Sequence, residues 1–111
     1  MDKLENYRRY IQQILEHYAG YGDLTEGIER ETILDVSNDH YQLVNVGWRG
    51  ERRIYGCLLH FDIKKGKIWI QQNWTENNVA QELVDLGVSQ NDIVLGFQSP
   101  YKRQLTEFAT D

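Results

Sequence analysis

The first twenty residues carry one apolar stripe. Leu4, Tyr7, Ile11, Ile14 and Tyr18 recur at intervals of three and four, with Leu15 beside them, and this spacing lines up on one face of a helix. The pattern predicts a helix over roughly residues 2–19, ended by Gly20 and Gly22. After an acidic loop the period shortens to two. β-Branched and aromatic residues dominate four runs, near 31–37, 40–49, 52–64 and 67–74, which read as strands.

Asn38-Asp39, Gly50-Glu51 and Lys65-Gly66 separate these runs as two-residue hairpin loops. Pairing Arg49 with Arg52 sets Val44 opposite Cys57 and Val46 opposite Tyr55. Pairing Lys64 with Lys67 sets Ile63 opposite Ile68 and Phe61 opposite Ile70. Uninterrupted alternation then collects Ile33, Val44, Val46, Trp48, Tyr55, Cys57, Leu59, Phe61, Ile63, Ile68, Ile70 and Trp74 on one face, the expected core. Thr75 is the expected N-cap of a second helix that buries Val79, Ala80, Leu83 and Leu86 and stops at Gly87. Asp92 to Phe97 reads as a fifth strand or a buried connector, and Ser99-Pro100 opens a last turn. The expected fold is α+β. It is a two-layer sandwich of an N-terminal helix, a four-stranded antiparallel meander, a second helix and a C-terminal tail or extra strand, as one domain over 1–111.

The same registers place Leu34, Val36, Tyr41, Leu43, Ile54, Leu58 and Trp69 on the second face, beside Asn45, His60, Asp62 and Gln71, with Gly47 and Gly56 open to the approach of another backbone. A solvated sheet face is mostly polar, and this one is not. Either a segment of the chain covers it or a partner does. Tyr41, Leu43, Leu58 and Trp69 are therefore the candidate protein-contact residues, for another protein or a second copy of the chain, because aromatic anchors on apolar patches are what interfaces favour.

Composition narrows the class. An apolar fraction of 41% and a charged fraction of 26% are those of a globular protein. Lys3, Glu5, Arg8 and Arg9 interrupt any leader-like apolar run, no stretch approaches the length of a membrane span, and the one cysteine excludes an internal disulfide. The expected address is a reduced cytoplasm. A net charge of -5 weighs against a dedicated nucleic-acid binder. Residues 48–67 run the other way, with six basic residues, Arg49, Arg52, Arg53, Lys64, Lys65 and Lys67, against Glu51 and Asp62. These six are the candidate DNA contacts. They crowd the two ends of the third strand, roughly 35 Å apart at strand rise, so the better expectation is charged hairpin tips that discourage edge pairing.

Chemistry is sparse. His60 and Asp62, two apart on one strand, form a candidate imidazole–carboxylate pair. Asp62-Ile63-Lys64 matches the acidic-x-Lys element of metal-dependent nucleases, which needs a second carboxylate, and Asp39 is the nearest by register. His17, His40 and His60 are scattered along the chain, Cys57 reads as a core residue, and no glycine-rich phosphate loop is present. The expectation is a non-enzyme with no catalytic residue, metal or cofactor.

Several longer segments carry a resemblance. They are Tyr41-Gln42-Leu43-Val44-Asn45-Val46-Gly47-Trp48, Tyr55 to Ile63, Gly66-Lys67-Ile68-Trp69-Ile70-Gln71-Gln72, Asp92 to Phe97, and the tail Pro100-Tyr101-Lys102-Arg103 with Thr106 and Phe108-Ala109. With the opening Met1-Asp2-Lys3-Leu4 and Tyr7-Arg8, the chain resembles the XisI-like family, the fdxN element excision controlling factors of cyanobacteria, over nearly its whole length. Lys65 and Trp74 depart from the pattern. The resemblance implies an accessory role in site-specific excision of a DNA element beside a recombinase. It also implies a companion, XisH, that looks like a restriction-endonuclease-type fold. It carries no catalytic residues over.

Overall fold

The computed structural model describes residues 2–21 and 26–111; Gly22 and most of the predicted acidic loop lie outside the described residues. The predicted first helix is α1, Lys3–Ala19. Asp2 caps it by accepting a hydrogen bond from the Glu5 N–H at 2.8 Å. Of its apolar stripe, Tyr7, Ile11, Ile14, Leu15 and Tyr18 are buried and Leu4 is partly buried.

Five strands follow the helix, β1 (Ile28–Asp35), β2 (His40–Arg49), β3 (Arg52–Lys64), β4 (Lys67–Asn73) and β5 (Ile93–Leu95), and they lie in the sheet in chain order. The first four form the antiparallel meander. Two of the three hairpin loops are as expected. Gly50 takes the left-handed first position between Arg49 and Arg52 (φ 62°), and Lys65 and Gly66 both take positive φ, 52° and 79°, between Lys64 and Lys67. The first loop is longer than two residues. Asp35 pairs with His40, and the Asp35 carboxylate accepts from the backbone and side-chain N–H groups of Asn38, which stabilises a four-residue turn.

The second helix, α2, runs Val79–Leu86 and stops at Gly87 (φ 120°). Its N-cap is Asn78, not Thr75; Thr75 instead bonds Asn73 in the turn that leaves β4. β5 returns parallel to β4, α2 supplying the crossover that a parallel pair needs, so the sheet is mixed. A short helix, α3 (Pro100–Arg103), capped by Ser99, begins the tail. Both α1 and α2 pack on one sheet face. Tyr18 at the end of α1 donates its hydroxyl to Glu82 of α2 at 2.6 Å, and Tyr7 at its start donates to Asp92 before β5 at 2.5 Å. No helix of the described residues is long and apolar enough to cross a membrane.

Two bulges decide which residues face the helices. Leu43 pairs with Leu59, but the next residue, Val44, pairs with Cys57, leaving Leu58 as an extra residue in β3. In the same way His60 pairs with Gln72 and Phe61 with Ile70, leaving Gln71 extra in β4. Each extra residue reverses the alternation beyond it. Tyr41, Leu43, Leu59, Phe61, Ile63, Ile68 and Ile70 therefore form the core under α1 and α2. Val44, Val46, Trp48, Tyr55 and Cys57, expected in that core, point away from it.

The placement of three contact candidates is thereby corrected. Tyr41 and Leu43 are wholly buried in the helix-side core, and Leu58 packs against that core. Leu34 and Ile54 share their side by register. Of the four, Trp69 alone lies on the outer face. Gly47 also belongs to the helix side, and the backbone that approaches it is the chain's own: the Trp48 N–H donates to Gly27 O at 3.0 Å.

Candidate functional site

The outer face divides into two halves. Over β4 and β5 the tail folds back. Ala109 bridges to Val94, which is fully buried, and Arg103 donates to the carbonyls of Leu95 and Gln98 while its guanidinium stands 5.1 Å from the Trp69 ring centre. Lys64 lies 4.5 Å from the same ring. Trp69 is thus half-buried beneath its own chain. No described segment covers the other half, over β1 to β3. Trp48 is 52% exposed there, Tyr55 71% and Ile33 43%, surrounding a buried Val44.

The edge of this second half is also unpaired. β4 meets β3 only from Leu59 to Lys64, and the Gln72 side chain bonds the Cys57 carbonyl. Beyond that point no described strand pairs with the outer edge of Arg52 to Gly56. A groove of about 220 Å³ runs beside this edge between Ile54, Leu58 and Trp74. The long β2–β3 hairpin therefore projects with one apolar face and one backbone edge open, an arrangement that accepts another chain.

The basic candidates stay apart. Arg49, Arg52 and Arg53 stand at one end of the 13-residue β3, where Arg53 rests 5.2 Å from the Trp48 ring centre, and Lys64, Lys65 and Lys67 stand at the other. Cys57, expected in the core, is half-buried on the outer face; burial raises its thiol pKa, and its sulfur donates to Leu59 O at 3.1 Å. It has the protonated state of an inert thiol, not of a nucleophile.

The titratable cluster on this face is larger than the expected His60–Asp62 pair. His60 Nε2 lies 2.9 Å from Asp62 Oδ1, and His40 Nδ1, from the neighbouring strand, lies 2.8 Å from the same oxygen. Gln71 donates to the other carboxylate oxygen at 3.0 Å, and Gln42 sits 3.5 Å from His60 Nδ1. Asp62 is only 6% exposed. Burial pushes its carboxyl pKa up, but the hydrogen bonds from His40, Gln71 and His60 together outweigh that and hold it below the usual range. His40 moves in the opposite direction: its bond to Asp62 raises its pKa against a smaller desolvation effect. The histidines are therefore not scattered, since two of the three converge on one carboxylate.

The same bulge explains why His40 went unnoticed in the sequence. Unbroken pairing from Arg49 and Arg52 sets Asp39 opposite Asp62; the extra Leu58 moves the partner to His40. Asp39, the second carboxylate the nuclease reading needs, is instead bonded to Arg8 of α1 at 2.8 Å and to the Tyr41 hydroxyl at 2.8 Å. The guanidinium holds its carboxyl below the usual range.

Known proteins share this fold. The family model described as XisI protein matches residues 1–110. The crystal structure of a XisI-like protein from Anabaena variabilis superposes with a TM-score of 0.92 at 50% identity, covering 96% of this chain and 98% of that one. A second from the same organism, described as fdxN element excision controlling factor XisI, gives a TM-score of 0.87 at 38% identity, covering 99% of this chain and 100% of that one. No curated protein matches.

Proposed function

This chain belongs to the XisI family, and on that footing we propose that it is a non-catalytic, cytoplasmic regulator of DNA-element excision that works by holding another protein on its projecting β2–β3 hairpin. The proposed partner is an XisH-like protein. The excision role rests on the relative described as an excision controlling factor. The observation that carries the mode of action is the exposure of Trp48, Tyr55 and Ile33 together on a face the chain itself leaves open. A protein that had only to fold would place such residues inside.

Area sets what the partner must touch. A patch three strands wide and six residues long covers roughly 300 Å², whereas a standard interface takes about 800 Å² from each side. The open edge of Arg52 to Gly56 and the exposed Trp74 must therefore contribute, which fits strand addition with aromatic anchors. The nuclease reading loses support because Asp39, the second carboxylate it needs, is bonded to Arg8 of α1. DNA contact through the arginine and lysine tips is the weaker alternative, since their separation along β3 prevents one compact phosphate footprint.

The experiment is light scattering on this chain, on the XisH-like protein encoded nearest to it, and on their mixture. A mixed particle of summed mass supports the reading. Two unaltered species in the mixture would remove it, and a chain that is dimeric alone would redirect the open edge to self-pairing.

A further inference from the structure

The geometry points to a binding site for a divalent first-row transition cation, of the Zn2+ class, held by His40, His60 and Asp62. The donor atoms are His40 Nδ1, His60 Nε2 and Asp62 Oδ1, all within 4.8 Å of one another. The register fixes them. His40 and Asp62 are direct partners across β2 and β3, and His60 lies two residues before Asp62 on the same face. Two imidazoles and one carboxylate are a ligand set suited to Zn2+, Co2+, Ni2+ or Fe2+, and poorly suited to Ca2+ or Mg2+, which take oxygen.

Three further features belong to a built site. Gln71 anchors Asp62 Oδ2 at 3.0 Å, which leaves Oδ1 directed at both rings. This is the kind of outer contact that orients a metal-binding carboxylate. Gln42 stands beside His60 Nδ1, the ring nitrogen that must carry the proton once Nε2 binds metal; rotation of its amide would present the oxygen to accept it. Charge permits the exchange. The negative charge of the buried carboxylate, which a protonated imidazole can offset, is offset by the cation once both rings are neutral.

The adjustment needed is small. Tetrahedral Zn2+ with bonds of about 2.0–2.1 Å spaces its donors roughly 3.3 Å apart. The two nitrogen–oxygen contacts, now 2.8 and 2.9 Å, open by about half an ångström, and the rings close on the ion. The protons now shared with Oδ1 leave those nitrogens, to the opposite ring nitrogen or to solvent. Open coordination positions face outward, because the His40 side chain is 55% exposed.

The test uses the full chain, stripped with chelator and titrated calorimetrically with Zn2+, then with Co2+ followed by visible absorbance. One equivalent per chain, with cobalt bands of a nitrogen–oxygen site, is the expected result. His40→Ala should weaken binding at least tenfold and Gln71→Leu by about 10–100-fold, the usual cost of losing an outer contact. Binding should also weaken on acidification, because protons and metal compete for the same ring nitrogens. His40 is exposed, so His40→Ala should remain folded, which circular dichroism checks. Absence of saturable binding, or equal affinity in wild type, His40→Ala and His60→Ala, overturns the assignment.

Discussion

His40 and Asp62 face each other across β2 and β3, with the ring Nδ1 2.8 Å from the carboxylate oxygen. The contact has a pH signature. The bond to Asp62 raises the His40 pKa above its ordinary 6.5, with the nearby charges of Asp35 and Asp39 adding to the effect. A histidine with a raised folded pKa contributes stability that is complete below 6.5 and lost as pH rises through the folded value. The stability lost in His40→Gln, measured by urea unfolding of chelator-treated protein, should therefore be larger at pH 6 than at pH 8.5. A difference that is the same at both would show that the pair does not act in this way.

The Tyr18 hydroxyl ties helix α1 to Glu82 of α2. Tyr18 is 2% exposed, and burial first, then its bond to Glu82, pushes its pKa up to about 12. Tyr18→Phe keeps the ring and removes a hydrogen bond to a charged acceptor, so it should cost about 1.5–3 kcal/mol in urea unfolding. The ring packing predicts no change in the folded far-ultraviolet spectrum.

Two glycines of the long hairpin, Gly47 and Gly56, should respond differently to alanine. A Cβ at Gly47 would lie 2.0 Å from the Gly27 carbonyl oxygen and 2.8 Å from Ile28 Cα, whereas one at Gly56 meets nothing within 4 Å. Gly47→Ala should lose about 3 kcal/mol or more, because backbone must move. Gly56→Ala should stay within about 0.5 kcal/mol. Thermal melting of both variants side by side measures the contrast.

Much of this architecture was legible because the signals were local and redundant. The α1 stripe repeats over four turns, and the loops at Gly50 and Lys65 fix the pairing beside them, so Val44 does meet Cys57 and Ile63 does meet Ile68. What failed was propagation of those registers through the middle of β3. Tyr41 with Leu43 and Val44 with Val46 both suit the buried side of a strand, so the local pattern does not decide which pair goes under the helices. The one hint is Cys57-Leu58-Leu59, three apolar residues in a row where an alternating strand should show a break. Missing that extra residue moved Tyr41 and Leu43 to the wrong face and hid the approach of His40 to Asp62. Asn78 displaced Thr75 as the α2 cap for a related reason: Thr75 was already engaged with Asn73 in the preceding turn.

The corrected faces set two lysine substitutions apart. Leu43 has no exposed surface, and Trp48 is half exposed. Leu43→Lys buries an unpaired charge and should abolish the cooperative unfolding transition. Trp48→Lys should leave the unfolding midpoint within the equivalent of about 1 kcal/mol. Circular dichroism during a urea titration separates the two.

Partner capture by the open hairpin face is decided by the double variant Trp48→Lys, Tyr55→Lys, co-purified with the XisH-like protein beside wild type. Both side chains are exposed, so the variant should fold as wild type does. Loss of the partner from a folded variant is the expected result, with at least a hundredfold weakening if these two residues act as interface anchors. Undiminished recovery of the partner by the folded variant would contradict it and move the search to another surface.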